Sequence, residues 1–137
     1  MAAPALTADQ AKTFGDLCAA KGVTFIQKGM RGHLGGIDIG FTVAMRGIAE
    51  TGTFVLESRS EELRLATMLC EVHVCVVPRS AIRETSYEVE SDIRALSKDA
   101  PGYVAFVTGA SRTADIERVL AIGVHGPLEL HILLLED

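Results

Sequence analysis

The sequence predicts an α/β fold, with a mixed or largely parallel sheet flanked by helices, and three observations predict it. Strand-like and helix-like patterns alternate through the second half of the chain, the order that builds crossover units. The strongest apolar stretches, residues 72–77, 103–107 and 128–135, are short and nearly uninterrupted, as strands buried on both faces are. No internal repeat or low-complexity tract interrupts the alternation.

Each element follows from local chemistry. Thr7-Ala8-Asp9-Gln10 has the form of a capping box, a hydroxyl at the cap and Gln three residues on. Phe14, Leu17 and Cys18 follow at helical spacing and Gly22 supplies the stop, so a helix is expected over 7–21. Residues 23–27 are β-branched and aromatic, a strand pattern. Gly29, Gly32, Gly35 and Gly36 stud the next loop, which lacks the Lys-Ser/Thr ending of a P-loop and reads as a mobile connector. Residues 41–49 are apolar and interrupted; the turn Glu50-Thr51-Gly52 and a strand over 53–56 follow. Ser58-Arg59-Ser60-Glu61 offers a second capping box ahead of Leu63, Leu65, Ala66 and Leu69. The run 72–77 ends at Pro78, and 82–96 reads as a longer helix with Ile82, Val89, Ile93 and Leu96 along one face. A buried strand over 103–107, a helix over 113–120 and a last strand over 128–135 complete the chain.

Composition narrows the function classes. With 48% hydrophobic and 23% charged residues in 137, the chain can bury a core and does not read as disordered. A net charge of −5 and 5% aromatic residues offer nucleic acid neither a basic footprint nor stacking surfaces. The apolar runs fall well short of the roughly 20 residues that a membrane span requires. Met1-Ala2-Ala3-Pro4-Ala5-Leu6 has no basic region or long apolar core, so a secretory signal is not expected. The three cysteines, Cys18, Cys70 and Cys75, then read as reduced cytoplasmic thiols.

The richest chemistry lies at Thr108-Gly109-Ala110-Ser111-Arg112-Thr113. An apolar strand feeds directly into small polar residues and one arginine. That places N–H groups, hydroxyls and a guanidinium at a strand's carboxyl end, a setting for an anion. Glu50-Thr51-Gly52-Thr53 forms a second such turn, where Gly52 permits close ligand approach. His125-Gly126-Pro127 reads as a rigid turn at the mouth of the last strand, and His125 is a candidate acid/base or hydrogen-bond donor. His131 alternates with Glu129 on one face of that strand and reads as structural. Cys70, His73 and Cys75 supply three soft donors without a second pair at zinc-site spacing. No metal site is therefore expected, and without cluster ligands or a dinucleotide fingerprint no cofactor is expected either.

Five stretches stand in a familiar order: Glu50-Thr51-Gly52-Thr53, Arg64-Leu65-Ala66, Val72-His73-Val74, Gly109 through Glu117, and Gly123-Val124-His125-Gly126-Pro127. Together they closely resemble the LUD family, the lactate-utilisation protein C group. The resemblance covers residues 37–137 of one expected 1–137 unit, and residues 1–36 match it loosely. Two departures are Cys70-Glu71 and Ala110, where the family usually carries prolines. The resemblance implies a shortened fold of the NagB/RpiA/CoA-transferase type. It also implies an accessory or ligand-binding subunit in the oxidation of L-lactate to pyruvate, beside iron–sulfur oxidoreductase partners that carry the redox chemistry.

On this reading Thr51, Gly52, Thr53, Thr108, Gly109, Ser111, Arg112 and Thr113 line one cleft for a small carboxylate or phosphate, with Glu50 and His125 as catalytic candidates. One alternative is an acyl/CoA- or sugar-phosphate-type enzyme using Glu50, which rests on fold analogy. Another is a non-catalytic interaction domain. Because relatives carry more α/β structure upstream, strands built for burial are expected to find cover in a homodimer or a partner.

Overall fold

The structure, a computed structural model, describes residues 1–96, 98, 102–110, 112–113, 121–122 and 126–137. Its elements in chain order are α1 (Ala8–Ala20), β1 (Ile37–Val43), β2 (Arg46–Ile48), β3 (Thr53–Glu57), α2 (Glu61–Met68), β4 (Cys70–Pro78), β5 (Ile82–Arg83), α3 (Glu90–Leu96), β6 (Val104–Val107), β7 (Arg112–Thr113), β8 (Ala121–Ile122) and β9 (Glu129–Leu135). The expected α/β class is present as two sheets and a short extra pair.

The first sheet has the order β1-β4-β9 and is parallel throughout, with Ile37 opposite Cys70 and Val72 opposite Glu129. β4 is its centre, which explains why 72–77 is so apolar. The second sheet has the order β5-β2-β3-β6. β2 and β3 pair antiparallel across the Glu50-Thr51-Gly52 turn, β6 pairs antiparallel with β3, and β5 runs parallel to β2. A core of Phe54 and Leu56 from β3 with Cys75 and Val77 from β4 joins the inner faces of the two sheets. Burying these side chains supplies roughly 1.5–3 kcal/mol for each large one.

The capping box at Thr7 forms as expected, with Thr7 Oγ1 accepting from Gln10 N and Gln10 Oε1 accepting from Thr7 N. The helix ends at Lys21 and Gly22, whose φ is 68°. Phe14 carries α1 onto the first sheet, 5.1 Å from the Phe41 ring.

Several expectations are corrected. Residues 23–27 form no strand: Ile26 alone makes a bridge, to Ala2. The place beside β1 is taken by the N-terminal residues, where Ala2 N donates to Ile39 O and Phe41 N donates to Ala2 O, both at 2.7 Å. The glycine-rich loop is pinned rather than a mobile connector. The Glu62 carboxylate accepts from Gly29 N at 3.1 Å and from Met30 N at 2.8 Å, and Met30 is completely buried. The second capping box does not form, because Ser60 is the cap residue of α2 and Glu61 instead binds Arg31.

The long helix expected over 82–96 is divided. Ile82 and Arg83 add to the edge of β2, and the helix begins only after Thr85 and Glu88 close their own capping box. The strand over 103–107 is half exposed instead of buried, because β6 ends its sheet and turns Tyr103 and Phe106 outward. Likewise β9 forms where expected, yet as a terminal strand it leaves Leu133, Leu134 and Leu135 exposed. Thr113 lies in β7, paired with β8, rather than opening a helix; residues 114–120 lie outside the described residues. No helix among the described residues is long and apolar enough to cross a membrane.

Candidate functional site

Two stretches singled out for ligand binding meet through their hydroxyls. The antiparallel register sets Phe54 opposite Val107, which carries Thr53 beside Thr108. Thr51 Oγ1 donates to Thr53 Oγ1 at 2.7 Å, and Thr53 Oγ1 lies 2.8 Å from Thr108 Oγ1. Gly52 makes the turn with a φ of 62°, a conformation that favours glycine. Gly52 and Thr53 open onto a cavity of about 170 Å³ whose other walls include Ile48, Phe54, Val77 and Leu134. Val77 and Leu134 stand near the carboxyl ends of β4 and β9.

The remaining candidates are placed differently. The Glu50 carboxylate accepts from Ser86 N at 2.8 Å, while Glu50 N donates to Glu84 O. Glu50 thus ties its turn to the segment before α3. Arg112 and Thr113 form the backbone of β7, opposite Ile122 and Ala121. Ser111 and His125 lie outside the described residues. Gly109, one residue past Thr108, lines a second cavity.

That second cavity, about 180 Å³, lies between the two sheets. Its polar lining is Ser58, Arg64, Thr67 and His73, with Gly109 and Pro127 at the loops. Leu56, Val107 and Leu130 supply much of the apolar wall. Arg64 Nη1 donates to Ser58 O at 2.8 Å, and its guanidinium sits 5.9 Å from the centre of the Tyr103 ring. His73 is buried with its Nε2 2.8 Å from Thr42 Oγ1 and its ring edge-on to Phe54. Burial without an acidic partner holds its pKa down to about 4, so the ring is neutral near pH 7. Phe54 lines the first cavity and touches His73 of the second, and so partitions them.

Residue-by-residue sequence reasoning weighed His73 only as a metal donor and placed neither it nor Arg64 in a ligand site. The available signal was their place in the recurring motifs, because Arg64, His73, Gly109 and Pro127 come from four of the five. Cys75 shares the inner face with His73, and burial pushes both the Cys70 and Cys75 thiols up to about 11. His131 pairs with Glu129 at 2.9 Å on the exposed surface. Among the described residues no three His, Cys, Asp or Glu side chains cluster as metal ligands do.

Comparison with known proteins agrees with this architecture. An uncharacterised protein of Neisseria meningitidis, NMB1437, is 38% identical over 97 residues, covering 71% of this chain and 42% of its own length. The lactate utilization protein C of Exiguobacterium is 32% identical over 103 residues, covering 73% of this chain and 45% of its own. That of Halalkalibacterium halodurans is 35% identical over 103 residues with the same coverage. The chain therefore spans less than half the length of these relatives. A crystal structure of a DUF162 family protein from Deinococcus radiodurans superposes with a TM-score of 0.56 at 19% identity, covering 100% of this chain and 87% of that one, and bears on the fold alone. The profile of the LUD domain matches residues 2–135, nearly the whole sequence, and this chain belongs to the LUD domain family.

Proposed function

We propose that this chain is an accessory, ligand-binding part of a lactate-utilisation system, working in the cytoplasm beside iron–sulfur subunits that carry the electrons. Its ligand is a small anion, a carboxylate or phosphate. The site comprises Thr51, Gly52, Thr53, Thr108, Gly109, Ser111, Arg112 and Thr113. Relatives named lactate utilization protein C support the setting. The observation that carries the site is the chain of hydroxyls from Thr51 through Thr53 to Thr108. It joins two glycine-containing turns that are remote in sequence, as donors converging on one ligand must be joined. Arg112 supplies the permanent charge that a polar turn alone lacks.

Exposed leucines of β9 support a homodimer or partner contact on the first sheet. Light scattering of the purified protein tests that part: a stable monomer at micromolar concentration refutes the homodimer. Calorimetric titration with L-lactate, pyruvate and inorganic phosphate tests the site. Arg112→Ala should remove about 1.5–3 kcal/mol of binding, the scale of a charge-assisted hydrogen bond, and Thr53→Val should weaken binding too. Affinity unchanged in both variants would overturn the assignment.

A further inference from the structure

We infer that the cavity between the two sheets is a second ligand site, built for a short-chain monocarboxylate, with Arg64 holding the carboxylate and the Ser58 hydroxyl donating to it. This goes beyond the anion site at the Thr51–Thr53–Thr108 junction, from which Phe54 separates it.

Three observations carry it. First, Ser58 is 3% exposed, lines the cavity, and its Oγ has no hydrogen-bond partner among the described residues. A buried hydroxyl is costly to leave unmatched. The backbone of Ser58 is anchored beside the cavity, where its N donates to Tyr103 O at 2.8 Å and its O accepts from Arg64.

Second, Arg64 reaches the same cavity without a salt bridge among the described residues; Glu61, the carboxylate that feels its charge, is held by Arg31. Its Nη1 is held by Ser58 O and Arg59 O, at 2.8 and 3.4 Å. Among the described residues no acceptor takes its Nε or Nη2 hydrogens, the edge that grips a carboxylate. The guanidinium also lies 5.9 Å from the centre of the Tyr103 ring, within reach of its face.

Third, size and lining select the ligand. A cavity of about 180 Å³ compares with the roughly 150 Å³ that admits benzene, a molecule of six heavy atoms. That suits two to four carbons with a carboxylate. One cation among the described lining residues, beside a neutral His73, matches one negative charge rather than two. Leu56, Val107 and Leu130 offer an apolar wall to the carbon end.

Calorimetry with acetate, propionate, pyruvate and L-lactate, and with inorganic phosphate as the dianionic control, decides the matter. Saturable binding of at least one monocarboxylate is expected, weakened about tenfold to a hundredfold by Arg64→Met and several-fold by Ser58→Ala, the scales of a charged and a neutral hydrogen bond. Ser58→Ala is also expected to keep or raise the urea midpoint, since it removes an unmatched buried hydroxyl, so it serves as the test if Arg64→Met fails to fold. Thr53→Val is expected to remove only the junction component of monocarboxylate binding, and Ser58→Ala to weaken only the component of this pocket, which separates the two sites. No saturable binding of any monocarboxylate would overturn the inference. Binding lost in Thr53→Val and kept in Ser58→Ala would overturn it as well, by moving the ligand to the junction.

Discussion

Acidification through the histidine range should destabilise this protein because of His73. In the unfolded chain its imidazole titrates near 6.5, whereas in the fold burial holds it at about 4. Between those values the unfolded state binds a proton that the folded state refuses. Stability is therefore full above pH 6.5, falls as the pH drops, and levels below about 4. One pKa unit is about 1.4 kcal/mol, so moving from pH 7 to pH 5 should remove about 2 kcal/mol through this residue alone. Urea denaturation of the wild type and of His73→Gln at several pH values between 7 and 5 isolates the effect, since the variant keeps every other titrating group. The wild-type curve should lose stability more steeply by about that amount. An NMR titration should show one imidazole that stays neutral down to pH 5. Parallel pH curves for the two proteins, or a His73 resonance titrating near 6.5, would refute the assignment of a dry, neutral ring bonded to Thr42.

Three further outcomes follow from packing. A methyl group at Gly40 would lie 2.3 Å from Ala66 O and 2.8 Å from Cys70 Sγ, so Gly40→Ala should lower stability by about 1–3 kcal/mol or more in urea titration. Arg46 binds both oxygens of Asp92 at 2.7 and 2.9 Å in a half-buried setting; a double-mutant cycle should find coupling of about 1 kcal/mol, and a value near zero would make the pair ornamental. Cys70 and Cys75, buried with their thiols pushed up to about 11, should react with a thiol reagent at pH 8 only as fast as the protein unfolds.

The α/β class was legible because β4 is the central strand of its sheet and residues 72–77 read as a nearly continuous apolar run, although one of its faces is only half-buried. Elements set by distant partners were not. Ile82 looks helical beside Val89 and Ile93, and only its pairing with Gly47 reveals it as a strand. Ala2 carries no strand signal at all; it forms a bridge because the edge of β1 offers unpaired groups. Glu61 has the spacing of a capping partner, yet Arg31 holds it elsewhere. The candidate site shows the same division. The turn at Gly52 and the loop after β6 announce themselves by residue type, and their hydroxyls do meet. Arg64 and His73 sit in stretches that satisfy an ordinary helix and strand, so their convergence on one cavity emerges only when β4 and α2 are brought against β3 and β6.

The order β1-β4-β9 also bears on how the chain comes together in time. Neither neighbour of β4 is adjacent to it in sequence, and the pairing of Val72 with Glu129 closes a long loop. Loop closure of this kind is the slow part of folding, and sheets built on it form late. Most of the second sheet can assemble early, because the β2–β3 hairpin is local and β6 adds to it. The parallel sheet has no such shortcut. During synthesis β4 must wait, one side open, until β9 has been made.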